Sequence, residues 1–192
     1  MKLQYATRVT AIVLAVAVSA LVGAGWRAGV PPAQAQAGQA LASLYTQTGD
    51  PVGTVTFTQD AGQVQVRAEV ANLPPGFHGF HVHTNGVCDA ATQFQSAGGH
   101  LDLGSGDLPG GGMAGDMTNL YVGSDSKGML SFTVDRFAVP NLLADGGRSV
   151  IVHADPDNFR NIPSRYGVTP DQATLTTGDA GARIACGLIH AG

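Results

Sequence analysis

Two of the six histidines, His81 and His83, are separated by a single residue within a segment of strand-like composition. Side chains two positions apart on a strand point to the same face, whereas His78, three positions before His81, points to the other. Two imidazoles on one face are preorganised to chelate a metal, and imidazole suits copper, zinc, iron or nickel. Taken alone, such a pair is more often found on an exposed strand without a metal, so further ligands must come from elsewhere in the chain.

Two other histidines occupy positions at which binding sites are commonly built. His100 follows two glycines, which leave little side-chain bulk beside its imidazole, and His153 ends an apolar run where a strand enters a long loop. Each alone would more often be a hydrogen-bonded structural histidine. Considered as a set, the four predict one metal site, with His78 and the C-terminal His190 as bystanders.

The elements that position these histidines are predicted to be strands. The chain has 192 residues, enough for one well-buried domain, and its 27 glycines and 10 prolines favour turns over long helices. Residues 52–58 and 63–70 alternate apolar with polar side chains around a turn and predict a β-hairpin. Further strands are predicted at residues 77–83, 120–122, 129–134, 149–153 and 184–189.

Two long connections, residues 85–119 and 155–181, separate these strands and lack a sustained helical period. Loops of this length are usually functional or disordered. Short strands, turns and two long loops favour an all-β fold, an immunoglobulin-like antiparallel β-sandwich with Greek-key connections. Residues 38–49 are interpreted as the connection that leads into the domain, which begins close to Ala40.

The N-terminal part differs in kind from the rest. A positively charged start precedes an uncharged run over residues 9–25, which is typical of an export signal, and small residues near Ala35 and Ala37 predict the cleavage region. An uncleaved membrane anchor is the alternative, since about 17 apolar residues lie at the lower limit for a span. The predicted organisation is therefore a leader over 1–37 and one domain over 38–192, located in the cell envelope, the periplasm or the extracellular space.

The charge and the cysteines of the predicted mature domain agree with this location. Without the leader, seven basic residues face 14 acidic ones, a net charge of about −7, which disfavours a nucleic-acid partner. The two cysteines, Cys88 and Cys186, are predicted to form one disulfide, because an even count in an exported protein indicates pairing.

Several blocks in order resemble the copper-zinc superoxide dismutase family, over the chain from about Ala40 to its end. They are GFHGFHVH at 76–83, GVC at 86–88, SAGGH at 96–100, GD at 115–116, VIVH at 150–153 and GDAGARIACG at 178–187. Segments of the second long loop, at 157–159 and 161–163, are most similar to exported bacterial members. The resemblance implies the flattened β-barrel form of the sandwich.

The resemblance also implies roles for particular residues. Four histidines would bind copper: His81, His83, His100 and His153. His100 would take part in catalysis as the bridging histidine, Arg183 would attract the superoxide anion beside the open face of the copper, and Asp157 would orient a copper ligand through a hydrogen bond. Cys88 would pair with Cys186.

The sequence departs from the family at the zinc site. The family has two further histidines before its zinc aspartate, which corresponds to Asp116, whereas residues 101–115 contain none and Met113 stands at one of the two positions. His100 and Asp116 alone cannot supply the four ligands of a structural zinc. Asp102 and Asp107 are poor substitutes in a glycine-rich loop, so we expect copper without zinc.

These observations predict a copper-dependent superoxide dismutase, an oxidoreductase that converts superoxide to dioxygen and hydrogen peroxide outside the cytoplasm. Two alternatives remain: a non-catalytic copper carrier, against which Arg183 argues, and an extracellular interaction domain that uses only the β-sandwich. The predicted partner is the superoxide anion. No stable protein partner is predicted, and a homodimer stays open because a sandwich face can serve as an interface.

Overall fold

The computed structural model of the protein describes residues 38–104, 112–160 and 162–192. The predicted leader and Asp107 lie outside these ranges. Within them the chain forms these strands: β1 (Gln39–Thr46), β2 (Pro51–Asp60), β3 (Gln63–Ala71), β4 (Gly76–His78), β5 (Phe80–His83), β6 (Leu120–Val122), β7 (Lys127–Val134), β8 (Ser149–His153) and β9 (Arg183–Ala191). Two short α-helices, α1 (Val139–Leu143) and α2 (Gln172–Thr177), lie in the connections.

The strands form a curled sheet in which every neighbouring pair is antiparallel. Its order is β5, β8, β9, β1, β2, β3, β7, and β4 pairs with β6 in a second, two-stranded sheet. The prediction of an all-β antiparallel fold with two long loops is confirmed. Strands distant in sequence, such as β1 and β9, are neighbours in this sheet.

The core follows from the alternation of side chains along the strands. On β3, Val64, Val66, Ala68 and Val70 are buried, while the residues between them are exposed. The same face of the sheet buries large side chains from other elements, including Phe57, Phe80, Leu120 and Leu142. One face of an antiparallel sheet packs on the core while the other meets solvent. Removal of this apolar surface from water is the main stabilising contribution to the fold.

Two of the predicted boundaries are corrected. The segment interpreted as a connection, 38–49, contains β1, which pairs with both β2 and β9. The strand predicted over 77–83 is divided at Gly79, where a Cβ atom would lie 2.6 Å from the Cβ of Ala180. The Gly79 amide donates to the carbonyl of Asp155 and the Gly79 carbonyl accepts from the amide of His153, so a loop and β8 meet the chain at this break.

The disulfide between Cys88 and Cys186 is confirmed and joins the first long loop to β9. It lies against a small second apolar cluster of Phe94, Ala97 and Ile151. The described residues contain no helix with both the length and the apolar character needed to cross a membrane.

We expect loss of this disulfide to destabilise the protein. The cysteines are 98 positions apart, and the double substitution Cys88→Ser with Cys186→Ser is expected to lower the free energy of unfolding by about 2–4 kcal/mol, because the unfolded chain gains freedom. Urea unfolding of the copper-free protein measures this. Chemical reduction of the wild type should cause the same loss, and an unchanged midpoint in both samples would contradict the prediction.

Candidate metal centre

Four buried histidines converge at one end of the sheet. His81 and His83 come from β5, His153 ends β8, and His100 comes from the first long loop. One ring nitrogen from each lies within 4.8 Å of the corresponding nitrogens of the others. The rings are close together, with centroids 4.0 Å apart for His81 and His100 and 4.8 Å apart for His81 and His153.

Backbone pairing on both edges of β5 brings the cluster together. One edge pairs with β8, and the other edge receives two stretches of the first long loop. There the Leu101 amide donates to the Val82 carbonyl at 2.8 Å, and the Val82 amide donates to the Gly115 carbonyl at 2.9 Å. Because the amide and the carbonyl of Val82 are both hydrogen-bonded to the loop, His100 is held beside His83. The same bonds hold Asp116 beside His81.

Three of the rings are fixed by a hydrogen bond that the outer nitrogen donates. The outer nitrogen is the ring nitrogen that does not belong to the cluster. The acceptors are Asp157 Oδ2 for His81 Nε2 at 2.8 Å, the Gly98 carbonyl for His83 Nδ1 at 2.9 Å, and the Gly181 carbonyl for His153 Nδ1 at 3.1 Å. The opposite nitrogens, His81 Nδ1, His83 Nε2 and His153 Nε2, are buried and have no hydrogen-bond partner among the described residues. Buried polar atoms are normally paired, so this arrangement fits a metal ion bound between the rings.

His100 completes the set. Its Nδ1 donates to Asp116 Oδ1 at 2.7 Å, which leaves Nε2 for the cluster. Met113 and Arg160 hold the second carboxylate oxygen of Asp116, the first through its amide at 2.8 Å and the second through Nη2 at 3.4 Å. All four imidazoles therefore have an outer nitrogen that is bonded to the protein.

The carboxylate behind His81 is itself held in place. Asn119 exchanges two hydrogen bonds with the backbone of Asp157, at 2.8 and 2.9 Å. Gly178 ends α2 with φ of 60°, and a Cβ atom there would lie 1.7 Å from Asp157 Oδ1. Only glycine combines this left-handed conformation with the close approach of a carboxylate.

Burial sets the protonation states of the cluster. Loss of solvent, with a smaller contribution from the other rings, holds the pKa of His81 and of His83 well below the usual value, and burial lowers the pKa of His153 to about 4. These rings are neutral at pH 7, the form that binds metal. Burial also raises the pKa of Asp157, whereas for Asp116 the hydrogen bonds from His100 and the Met113 amide outweigh burial and lower its pKa.

A cavity of about 610 Å³ opens onto the cluster. His100 and His153 line it together with Arg183, which stands opposite His153 in the pairing of β8 with β9. The Arg183 guanidinium donates to the carbonyls of Phe94 and Gly98, each at 2.7 Å. Burial lowers its pKa, but a guanidinium stays charged at neutral pH, so this side chain places a fixed cation beside the histidines.

The structure brings together most of the predicted site residues and separates the bystanders. His78 lies outside the cluster, with its ring nitrogens 2.7 and 2.8 Å from the carbonyl oxygens of His153 and Pro74, and His190 is exposed on β9. Asp102 is exposed and its carboxylate accepts from the amide of Gly104. Asp107 is outside the described residues.

Sequence reasoning missed the arginines around Asp116 and the carbonyls that fix the rings. Arg160 contacts the carboxylate of Asp116, and Arg136 donates to its backbone carbonyl. The carbonyls of Gly98 and Gly181 leave no signature in a sequence, since every residue has one. For Arg160 the sequence did offer one signal: it lies in the second long loop, three positions after the predicted site residue Asp157.

Comparison with known proteins identifies the family. A family model described as copper/zinc superoxide dismutase matches residues 52–189. The chain belongs to the copper/zinc superoxide dismutase family. A superoxide dismutase (Cu-Zn) of Mycolicibacterium paratuberculosis is 40% identical over 167 residues, which cover 78% of this chain and 73% of that relative. One from Deinococcus radiodurans is 34% identical over 164 residues, which cover 78% and 83%.

A solved structure agrees with the observed fold. The crystal structure of a protein described as the clock protein EA4 has a TM-score of 0.64 and 28% sequence identity, and the match covers 80% of this chain and 94% of that one. The family model and the relatives confirm the family predicted from the sequence blocks, and the structure shows the β fold and a histidine cluster that fits copper.

We expect the copper-free protein to lose stability as the pH falls from about 6.5 to about 4. In this range His81, His83 and His153 bind protons in the unfolded chain but stay neutral in the folded chain, where burial lowers their pKa. His153 alone contributes a loss of about 2 kcal/mol between pH 7 and pH 5. Asp157, whose pKa burial raises, acts in the opposite direction near the lower end.

Urea unfolding at several pH values measures this dependence. His153→Gln is expected to flatten the slope, whereas His190→Gln, which changes an exposed histidine, should leave it as in the wild type. Equal free energies of unfolding at pH 5 and pH 7 would contradict the argument.

Proposed function

We propose that the chain is an exported copper-dependent superoxide dismutase in which His81, His83, His100 and His153 bind the copper. The observation that carries this proposal is the set of buried ring nitrogens that lie close together beside Arg183 and have no hydrogen-bond partner in the described part of the chain. The ligands are imidazoles, a donor type that copper accepts readily. When bound, copper supplies the one-electron chemistry by which one superoxide is oxidised to dioxygen and a second is reduced to hydrogen peroxide.

Arg183 guides the substrate. The domain carries about −7 overall and would repel an anion, so capture depends on a local positive charge at the mouth of the cavity. The hydrogen bonds to the carbonyls of Phe94 and Gly98 fix the guanidinium there. Its remaining donors can hold superoxide by charge-assisted hydrogen bonds, and lysine would fill this role less well because it lacks the planar donor fork.

His100 is the proton-handling ligand. The reduction of the second superoxide consumes two protons, and His100 lines the cavity from which they arrive. Asp116 holds the proton on Nδ1, so Nε2 is the atom at which the ring can take up and release another. Asp157 has a positioning role, since it fixes the tautomer of His81 through the hydrogen bond to Nε2.

The proposed location outside the cytoplasm has two supports. The Cys88–Cys186 disulfide is typical of an oxidising compartment, and the composition of residues 1–37 is that of an export signal. Arg183 favours the enzyme over the copper carrier, because a carrier has no use for a fixed cation at the substrate side of the metal.

Replacing His153 tests the ligand assignment. His153→Ala removes one nitrogen and is expected to reduce copper affinity and the rate of superoxide disproportionation by at least about tenfold. Metal analysis and a disproportionation assay measure both, with His190→Ala as the exposed control. A wild type that binds no copper after reconstitution would contradict the metal site, and copper without activity would support the carrier.

Replacing Arg183 tests the substrate role. Arg183→Met is expected to lower kcat/KM by about tenfold and to reduce its dependence on ionic strength, because steering of an anion is lost. Arg183→Lys should retain part of the rate. Arg165→Met, which removes the same charge from an exposed site in the second long loop, is the control. Equal rates for Arg183→Met and Arg165→Met would contradict a guiding role.

A further inference from the structure

The outer nitrogen of His100 is hydrogen-bonded to the carboxylate of Asp116, which forms an ion pair with the guanidinium of Arg160. Asp116 accepts from His100 Nδ1 at 2.7 Å, and its other oxygen lies 3.4 Å from Arg160 Nη2. The side chains of Arg160 and Asp116 are only 11% and 9% exposed. Arg136 donates to the backbone carbonyl of Asp116. The two charges are thus largely withdrawn from solvent, and each is the counterion of the other.

The donors at this place do not fit the zinc in the family description. A structural zinc takes four nitrogen, sulfur or oxygen ligands. Four of the six histidines form the copper cluster, His78 and His190 lie elsewhere, and both cysteines are in the disulfide. Of the 14 acidic residues only Asp107 lies outside the described chain. Among the described residues no third His, Cys, Asp or Glu side chain forms a metal-binding group with His100 and Asp116 apart from the four-histidine cluster. Asp107 would raise the number of ligands only to three, and the Arg160 guanidinium lies beside the second carboxylate oxygen of Asp116.

We propose that the Arg160–Asp116 ion pair replaces zinc as the support of His100, so that Arg160 is a positioning residue of the copper site. The inference rests on the copper site proposed above. A hydrogen bond from Nδ1 orients the ring only if its acceptor is fixed. The second oxygen of Asp116 accepts from the Met113 amide at 2.8 Å and has the Arg160 guanidinium beside it at 3.4 Å. Without that cation the buried carboxylate would lose its counterion, at a considerable cost in free energy.

The turn that carries Arg160 also carries the carboxylate behind His81. Asp157 Oδ2 accepts from His81 Nε2, and Asp157 Oδ1 accepts from the Phe159 amide at 2.6 Å. The Arg160 amide donates to Asn158 Oδ1 at 2.8 Å. Phe159 and Arg160 both adopt positive φ angles, 55° and 59°. One short turn therefore supports two ligands from behind.

The test compares Arg160→Met, which keeps the length and removes the charge, with Arg160→Lys and with the exposed control Arg165→Met. Each protein is loaded with Cu(II), its electron paramagnetic resonance spectrum is recorded, and its copper dissociation constant is measured by competition with a chelator. Zinc content is measured after incubation with Zn(II) and removal of excess. We expect Arg160→Met to shift the copper spectrum and to raise the dissociation constant by about tenfold.

Arg160→Lys is expected to recover most of both properties, Arg165→Met to match the wild type, and the copper-loaded wild type to retain no stoichiometric zinc. An Arg160→Met protein with the spectrum and affinity of the wild type would overturn the positioning role, while leaving the copper site intact. Stoichiometric zinc in the wild type, with a changed copper spectrum, would overturn the replacement. A wild type that binds no copper would overturn both this inference and the proposed function.

Discussion

Each imidazole in the cluster is held by one hydrogen bond from behind, and the site depends on these four bonds. Two acceptors are carboxylates and two are backbone carbonyls. Because an imidazole has two nitrogens, bonding of one with the proton on it leaves the other as a lone-pair donor aimed at the centre. The orientation and the tautomer of the ligands therefore come from the surrounding protein, before any metal arrives.

The four acceptors lie in loops, so the positions of these loops must be as well fixed as those of the strands. The disulfide and the backbone bonds to β5 fix the first long loop, which carries His100 and Asp116. The second long loop is fixed through Asn119 and the close contact of Gly178 with Asp157. The Gly98 carbonyl accepts from both His83 and Arg183, so one atom links a proposed ligand to the residue proposed to guide the substrate.

The cluster has a cost in the absence of metal. Three buried ring nitrogens have no hydrogen-bond partner within the ranges that the structure describes, and a buried neutral ring such as that of His153 does not take up a proton at mildly acidic pH. Both effects destabilise the folded chain. A metal that binds the folded state and not the unfolded state recovers this free energy, since its binding free energy adds to the free energy of folding. The central sheet, with its buried faces of β3 and neighbouring strands, supplies the stability that permits such a site.

Much of this arrangement could be predicted from the sequence, because parity on a strand places His81 and His83 on one face and the sequence blocks resembled a known family. The rest depended on tertiary contacts. The strand β1 was missed because its core positions include the small residues Ala40 and Ala42, which give a weak pattern until β2 and β9 flank them. Arg160 was missed because its partner, Asp116, is 44 positions away, and nothing local links the two.

The most direct test of the central claim is the coordination of copper in the loaded protein, measured by X-ray absorption together with the nitrogen hyperfine structure of the Cu(II) resonance. We expect a single copper with four imidazole nitrogens at about 2.0 Å, a distance typical of metal–histidine bonds. A copper bound mainly by oxygen ligands, or by fewer than three imidazoles, would contradict it.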